Sequence, residues 1–109
     1  MDSIITHHKR DISNLCKTFG VESLYVFGSA ASNSSSESSD IDFLISFQDT
    51  LSPEEYSENY FSIRQAFTDL FEREIDLVTK NSLSNPYFIE SIDKTKVLIY
   101  DQKQQEVSI

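Results

Sequence analysis

Gly28-Ser29 follows one strand-like run, and after ten intervening residues Asp40-Ile41-Asp42 opens another; this arrangement restricts the fold more than any other feature of the chain. Val21 to Phe27 is rich in β-branched and aromatic residues and stops at a glycine, so it reads as a buried strand. Gly28 allows a sharp turn and a close approach of a ligand to the main chain. Ser29 suits an N-cap, which predicts a short helix starting there with free N–H groups directed at an anion such as a nucleotide triphosphate.

Ile41 to Phe47 is strongly apolar, so acids at its start stand out. Strand side chains alternate, which puts Asp40 and Asp42 on one face and Ile41 and Phe43 on the other. Asp76, between Ile75 and Leu77 in a third strand-like run from Glu74 to Thr79, joins them if the strands are neighbours. Three ionised carboxylates within about 4 Å repel by roughly 4 kcal/mol per pair at an effective dielectric of ~20. A cation is therefore expected among them. Oxygen ligands suit Mg²⁺, with Mn²⁺ a further possibility, and two such ions can clamp both oxygens of a phosphoryl displacement.

These residues, Phe27-Gly28-Ser29, Asp40-Ile41-Asp42 and Asp76, resemble those of the minimal nucleotidyltransferase domains of the DNA polymerase β superfamily, in particular the small antitoxin-type members. Asn85-Pro86-Tyr87 through Val97 to Tyr100 extends the resemblance over nearly the whole chain. It implies a small mixed sheet with the acids on adjacent strands. The implied activity is AMP transfer from ATP, with Asp40, Asp42 and Asp76 as catalytic metal ligands and Gly28 and Ser29 binding the nucleotide. The implied acceptor is a tyrosine of a cognate HEPN-family RNase toxin. Where family members commonly carry an arginine and a further glycine, this chain has Ala30-Ala31-Ser32-Asn33, and no basic residue occurs between Val21 and Arg64. That departure keeps a second reading in view: an antitoxin of weak or no activity that neutralises its toxin by stable binding. A small-molecule acceptor is a third, although such enzymes usually carry an additional acceptor domain.

With 18 Asp+Glu against 9 Lys+Arg, the net charge of −9 disfavours a long contact with nucleic-acid phosphates and suits a basic protein partner. The 109 residues fit one domain, read as 1–101 with a polar tail at 102–109. Cys16 is the only cysteine, so no internal disulfide is possible, and its place on an apolar helix side predicts a buried small residue. No apolar run approaches a membrane span and no secretory signal is visible at Met1-Asp2-Ser3, which predicts a cytoplasmic protein.

Ile4, Ile5, Ile12, Leu15, Cys16 and Phe19 predict an amphipathic first helix of roughly sixteen residues, stopped by Gly20. His7, His8, Lys9 and Arg10 fall on it as a solvated face, since adjacent helix residues do not converge. The serine-rich stretch from Ser32 to Ser39 is expected to be an active-site loop. Ser52-Pro53-Glu54-Glu55 reads as a capping box, opening a helix whose stripe of Tyr56, Tyr60, Ile63, Phe67, Leu70 and Phe71 faces the core. Asn85-Pro86 opens another helix and Val97 to Tyr100 forms the last strand. Arg64, Arg73 and Lys80 are the basic residues to weigh for phosphate contact. The alternation of helices and strands indicates an α/β or α+β domain built on one sheet.

Overall fold

A computed structural model of the chain describes residues 3–31, 40–104 and 106–107. The elements run α1 (Ser3–His7), α2 (Lys9–Thr18), β1 (Val21–Phe27), β2 (Ile41–Phe47), α3 (Pro53–Phe71), β3 (Ile75–Thr79), α4 (Pro86–Thr95), β4 (Val97–Asp101) and β5 (Glu106–Val107). The strands form one sheet in the order β3-β2-β1-β4-β5. β2 and β3 are parallel, and the other neighbours are antiparallel. The sheet is therefore mixed, as the family resemblance implied. The parallel pair is possible because α3 carries the chain back across one face between β2 and β3.

The expected first helix is divided. His8 has φ −108° and ψ 19°, and its N–H donates to the Ile5 carbonyl three residues back, so the α1 turn tightens before α2 begins. His8 packs edge-on against Phe71, with ring centroids 5.6 Å apart, and so departs from the solvated face to which His7, Lys9 and Arg10 do belong. Ile5, Ile12 and Cys16 are nonetheless buried together, and Gly20 takes the left-handed φ of +71° that stops α2. Burial raises the Cys16 thiol pKa far above its ordinary value, consistent with a packing residue rather than a nucleophile.

α3 starts as its sequence dictates. The Glu55 N–H donates to Ser52 Oγ at 3.1 Å, the Ser52 N–H donates to Glu55 Oε1 at 2.9 Å, and Pro53 occupies the first turn. Ile63, Phe67 and Phe71 lie on the buried side, where Phe67 packs against Phe43 of β2 at 5.1 Å between ring centroids. Tyr60 is half-buried and its hydroxyl donates to the Leu77 carbonyl of β3 at 2.7 Å, which ties the helix to the outer strand.

The sheet's two faces differ. Ile41, Phe43 and Ile45 of β2, Ile75 and Leu77 of β3, and Val26 of β1 face the main core beneath α2 and α3. On the opposite face Phe27, Leu44 and Ile92 form a smaller cluster, covered by α4. The polar tail requires a correction: Glu106 and Val107 pair with Asp101 and Tyr100 and extend the sheet by one short strand. The reversal is built by Asp101, whose side chain accepts from the Lys103 N–H at 2.9 Å, the local hydrogen bond that makes Asp a turn former.

Phe67→Ala should cost about 3–5 kcal/mol, since it removes a fully buried ring from a packed aromatic group. Ser52→Ala should cost about 1 kcal/mol through the lost cap. Urea unfolding measures both, and equal costs would contradict this division between core and cap.

Candidate functional site

The acids are placed by strand register. β2 and β3 run parallel with Ile41 opposite Ile75 and Asp42 opposite Asp76, so the apolar neighbours of each acid enter the core while the two aspartates share the other face. This is the convergence expected from alternation. Asp40 immediately precedes β2 and is exposed, Asp76 is exposed, and Asp42 is half-buried between them.

The electrostatics follow from this arrangement. Burial, then the charges of Asp76 and Asp40, and then a side-chain hydrogen bond with Asp76 push the Asp42 carboxyl from its ordinary 3.8 up to about 6. A carboxyl–carboxyl hydrogen bond needs one proton held between two acids, so the pair favours partial protonation. Among the described residues, no three acidic, histidine or cysteine side chains are drawn close enough to form a ready metal cage. Mutual repulsion of carboxylates disfavours such a closed arrangement without a cation. The donor set itself fits a hard divalent ion: every oxygen is carboxylate, and a cation would counter the Asp76 and Asp40 charges that help to raise the Asp42 pKa.

Gly28 closes the site from β1. Phe27 is the register partner of Asp42, so the turn after Phe27 lies beside the aspartate. Gly28 has φ +70°, and a Cβ added to it would stand 2.6 Å from Asp42 Oδ2. Glycine is required there for both conformation and space. The Gly28 N–H donates to Thr95 Oγ1 at 3.2 Å, linking the turn to the end of α4. Thr95 carries no local sequence signal for this role, because the contact spans 67 residues.

Ser29 does not cap a helix as expected. Gly28–Ala30 forms a single 3₁₀ turn with extended Phe27 at the cap position and no side-chain cap. Three residues are too few to sum a helix dipole, so anion attraction here would come from the local N–H groups of the turn. The serine-rich stretch read as an active-site loop, 32–39, lies outside the described residues. Arg64 is exposed on α3 and Arg73 is half-buried after it, just ahead of β3. Lys80 follows the far end of β3 from Asp76. Tyr56 and Tyr60 join the core side of α3, the packing role expected of them.

Two measurements check this geometry. Gly28→Ala should cost about 1–2 kcal/mol from the left-handed backbone alone. Combining it with Asp42→Ala should cost less than the sum of the two single changes, because the obstructing carboxylate is gone; strict additivity in urea melts would remove the contact from the argument. The second concerns pH. The folded state holds the Asp42 proton more tightly than the unfolded state, so stability without divalent ions falls as pH rises from about 4 to about 6. At pH 7 Asp42→Asn should therefore be more stable than the parent, by on the order of 1 kcal/mol after discounting solvent screening of a half-exposed group. The difference should close towards pH 4, and a difference independent of pH would contradict the assignment.

The chain is 39% identical over 98 residues to a candidate protein adenylyltransferase of Methanocaldococcus jannaschii, covering 88% of this chain and 91% of that protein. Its fold matches a solved toxin-antitoxin structure with AMP-PNP at TM-score 0.65 and 21% identity, over 89% of this chain and 77% of the other. It also matches a chain of the complex of tri-AMPylated Shewanella oneidensis HEPN toxin with MNT antitoxin at TM-score 0.60 and 20% identity, over 92% and 75% of the two chains. The family described as "Polymerase beta, Nucleotidyltransferase" matches residues 10–105, a span that contains the glycine turn and all three acids. With the paired aspartates of β2 and β3 set against the Gly28 turn, the chain belongs to the polymerase β nucleotidyltransferase family.

Proposed function

We propose that the protein is an adenylyltransferase antitoxin, which moves AMP from ATP to a hydroxyl of a partner toxin and thereby silences it. The observation that carries this reading is the register of β2 and β3, which aligns Asp42 with Asp76 beside a turn that tolerates only glycine. The adenylyltransferase name of the relative and the toxin-antitoxin assemblies among the fold matches support the reaction and the class of partner. The acceptor we favour is a tyrosine of a HEPN-type RNase. The −9 net charge is suited to a basic protein surface and gives no support for direct nucleic-acid binding.

Asp40, Asp42 and Asp76 would hold two Mg²⁺ ions, with Mn²⁺ a chemical alternative. When bound, such ions supply positive charge to the phosphoryl oxygens and make the acceptor hydroxyl more acidic. The chain's own residues set the geometry. Gly28, lacking a Cβ, leaves room for the Asp42 carboxylate at the floor of the site, and Ser29 of the same turn would donate to the triphosphate. Asp76, on the exposed side of the pair, is the acid that a hydroxyl arriving on another protein meets, and it takes the hydroxyl proton. The acceptor oxygen bonds to the α-phosphorus, the bond from that phosphorus to the bridging oxygen breaks, and pyrophosphate leaves.

The replacement of the family's usual arginine by Ala30-Ala31 favours a second reading, neutralisation by stable binding with little transfer. Intact mass of the partner after co-expression separates the two. The expected result is one or more added AMP units with the parent chain and none with Asp40→Asn/Asp42→Asn, a loss of at least a thousandfold in rate. An unmodified partner bound tightly by both chains would overturn transfer in favour of binding. An independent readout is thermal stability: Mg²⁺ should raise the Tm of the parent and leave that of the double variant unchanged.

A further inference from the structure

At the end of the sheet remote from the acids, the face bearing α4 holds a cleft of about 70 Å³. Ser23, Tyr25, Ser46, Lys80 and Lys96 surround it over an apolar floor. Ser46 lies four residues along β2 from Asp42, roughly 13 Å at 3.3 Å per residue. Leu44 stands between them, buried with Phe27 and Ile92 in the small cluster under α4. The cleft is therefore separate from the acid site.

Its lysines are opposite in sign to the net charge of the chain. The chain has half as many basic residues as acidic ones, yet two lysines from different connections converge here. Among the described residues, no carboxylate lines the cleft. Lys80 makes no ion pair with a described residue. Lys96 pairs with Asp93 at 2.9 Å and lies 5.0 Å from the centroid of the Tyr25 ring, and its ammonium has three N–H donors, so pairing with Asp93 leaves others available. The hydroxyls of Ser23 and Ser46 are 2.7 Å apart. One proton serves the bond between them and the other remains to donate to a ligand. The space is well above the roughly 10–15 Å³ that admits one water.

We propose that this cleft binds a small oxyanion of the phosphate class, carried either as free phosphate or on a nucleotide, independently of the acid site. Lys80 and Lys96 supply positive charge to the anion and the serine pair supplies a neutral donor. The site does not depend on the chain's transferring AMP.

The test is a titration of the full chain, isotopically labelled, with inorganic phosphate and separately with AMP, followed by amide NMR with divalent ions removed by a chelator. Saturable shifts at Ser23, Ser46, Lys80 and Lys96 are expected, absent from a sodium chloride titration of equal ionic strength. Whichever of the two compounds binds more tightly identifies the source of the phosphate group. Lys80→Gln/Lys96→Gln should lose at least tenfold in affinity while the rest of its spectrum overlays that of the parent, and Ser46→Ala should weaken binding through the lost donor. Shifts matching those of chloride, shifts confined to other residues, or affinity unchanged in both variants would overturn the proposal.

Discussion

The parallel pairing of β2 with β3 is the constraint on which the candidate site depends. It sets Asp42 opposite Asp76 because their apolar neighbours, Ile41 and Ile75, are opposite each other and buried. A slip of one residue would place an acid in the main core and Ile75 or Ile41 in water, so hydrophobic burial holds the electrostatically costly pair together. Proximity of the acids is thus maintained by the far face of the sheet rather than by attraction between them.

The site gathers carboxylate charge at unfavourably close range. The raised Asp42 pKa arises from burial and from neighbouring carboxylates, whose charge a bound divalent ion would counter. Gly28 sharpens the same design. Its missing side chain leaves room for the Asp42 carboxylate, and its bond to Thr95 fastens the turn to α4. The sheet register, one glycine turn and one helix end together surround the Asp42–Asp76 pair.

The two faces of the sheet have separate tasks. The face under α2 and α3 holds most of the aromatic and branched aliphatic bulk. The face under α4 carries the smaller apolar cluster of Phe27, Leu44 and Ile92 in its middle, with polar residues at both ends. Acids gather at one end and lysines at the other. In an acidic chain such segregation gives a single face two ends of opposite charge.

The sequence by itself determined the strands Val21–Phe27 and Ile41–Phe47, the capping box of α3, the Asn85 start of α4 and the alternation that turns Asp40 and Asp42 away from the core. These are local matters of propensity, caps and period. The break at His8 was not legible, because the apolar spacing of α1 and α2 continues through it and the Phe71 ring that receives His8 lies 63 residues away. Nor was β5, whose two residues are too few for a sequence pattern and gain strand structure only by pairing with β4. The candidate site was legible in its residues and not in its assembly. Tertiary structure alone decided that β3 lies beside β2, that Thr95 holds the Gly28 turn, and that Lys80 and Lys96 line one cleft. Each of these joins residues distant in sequence, and only the burial of the two sheet faces specifies which distant segments become neighbours.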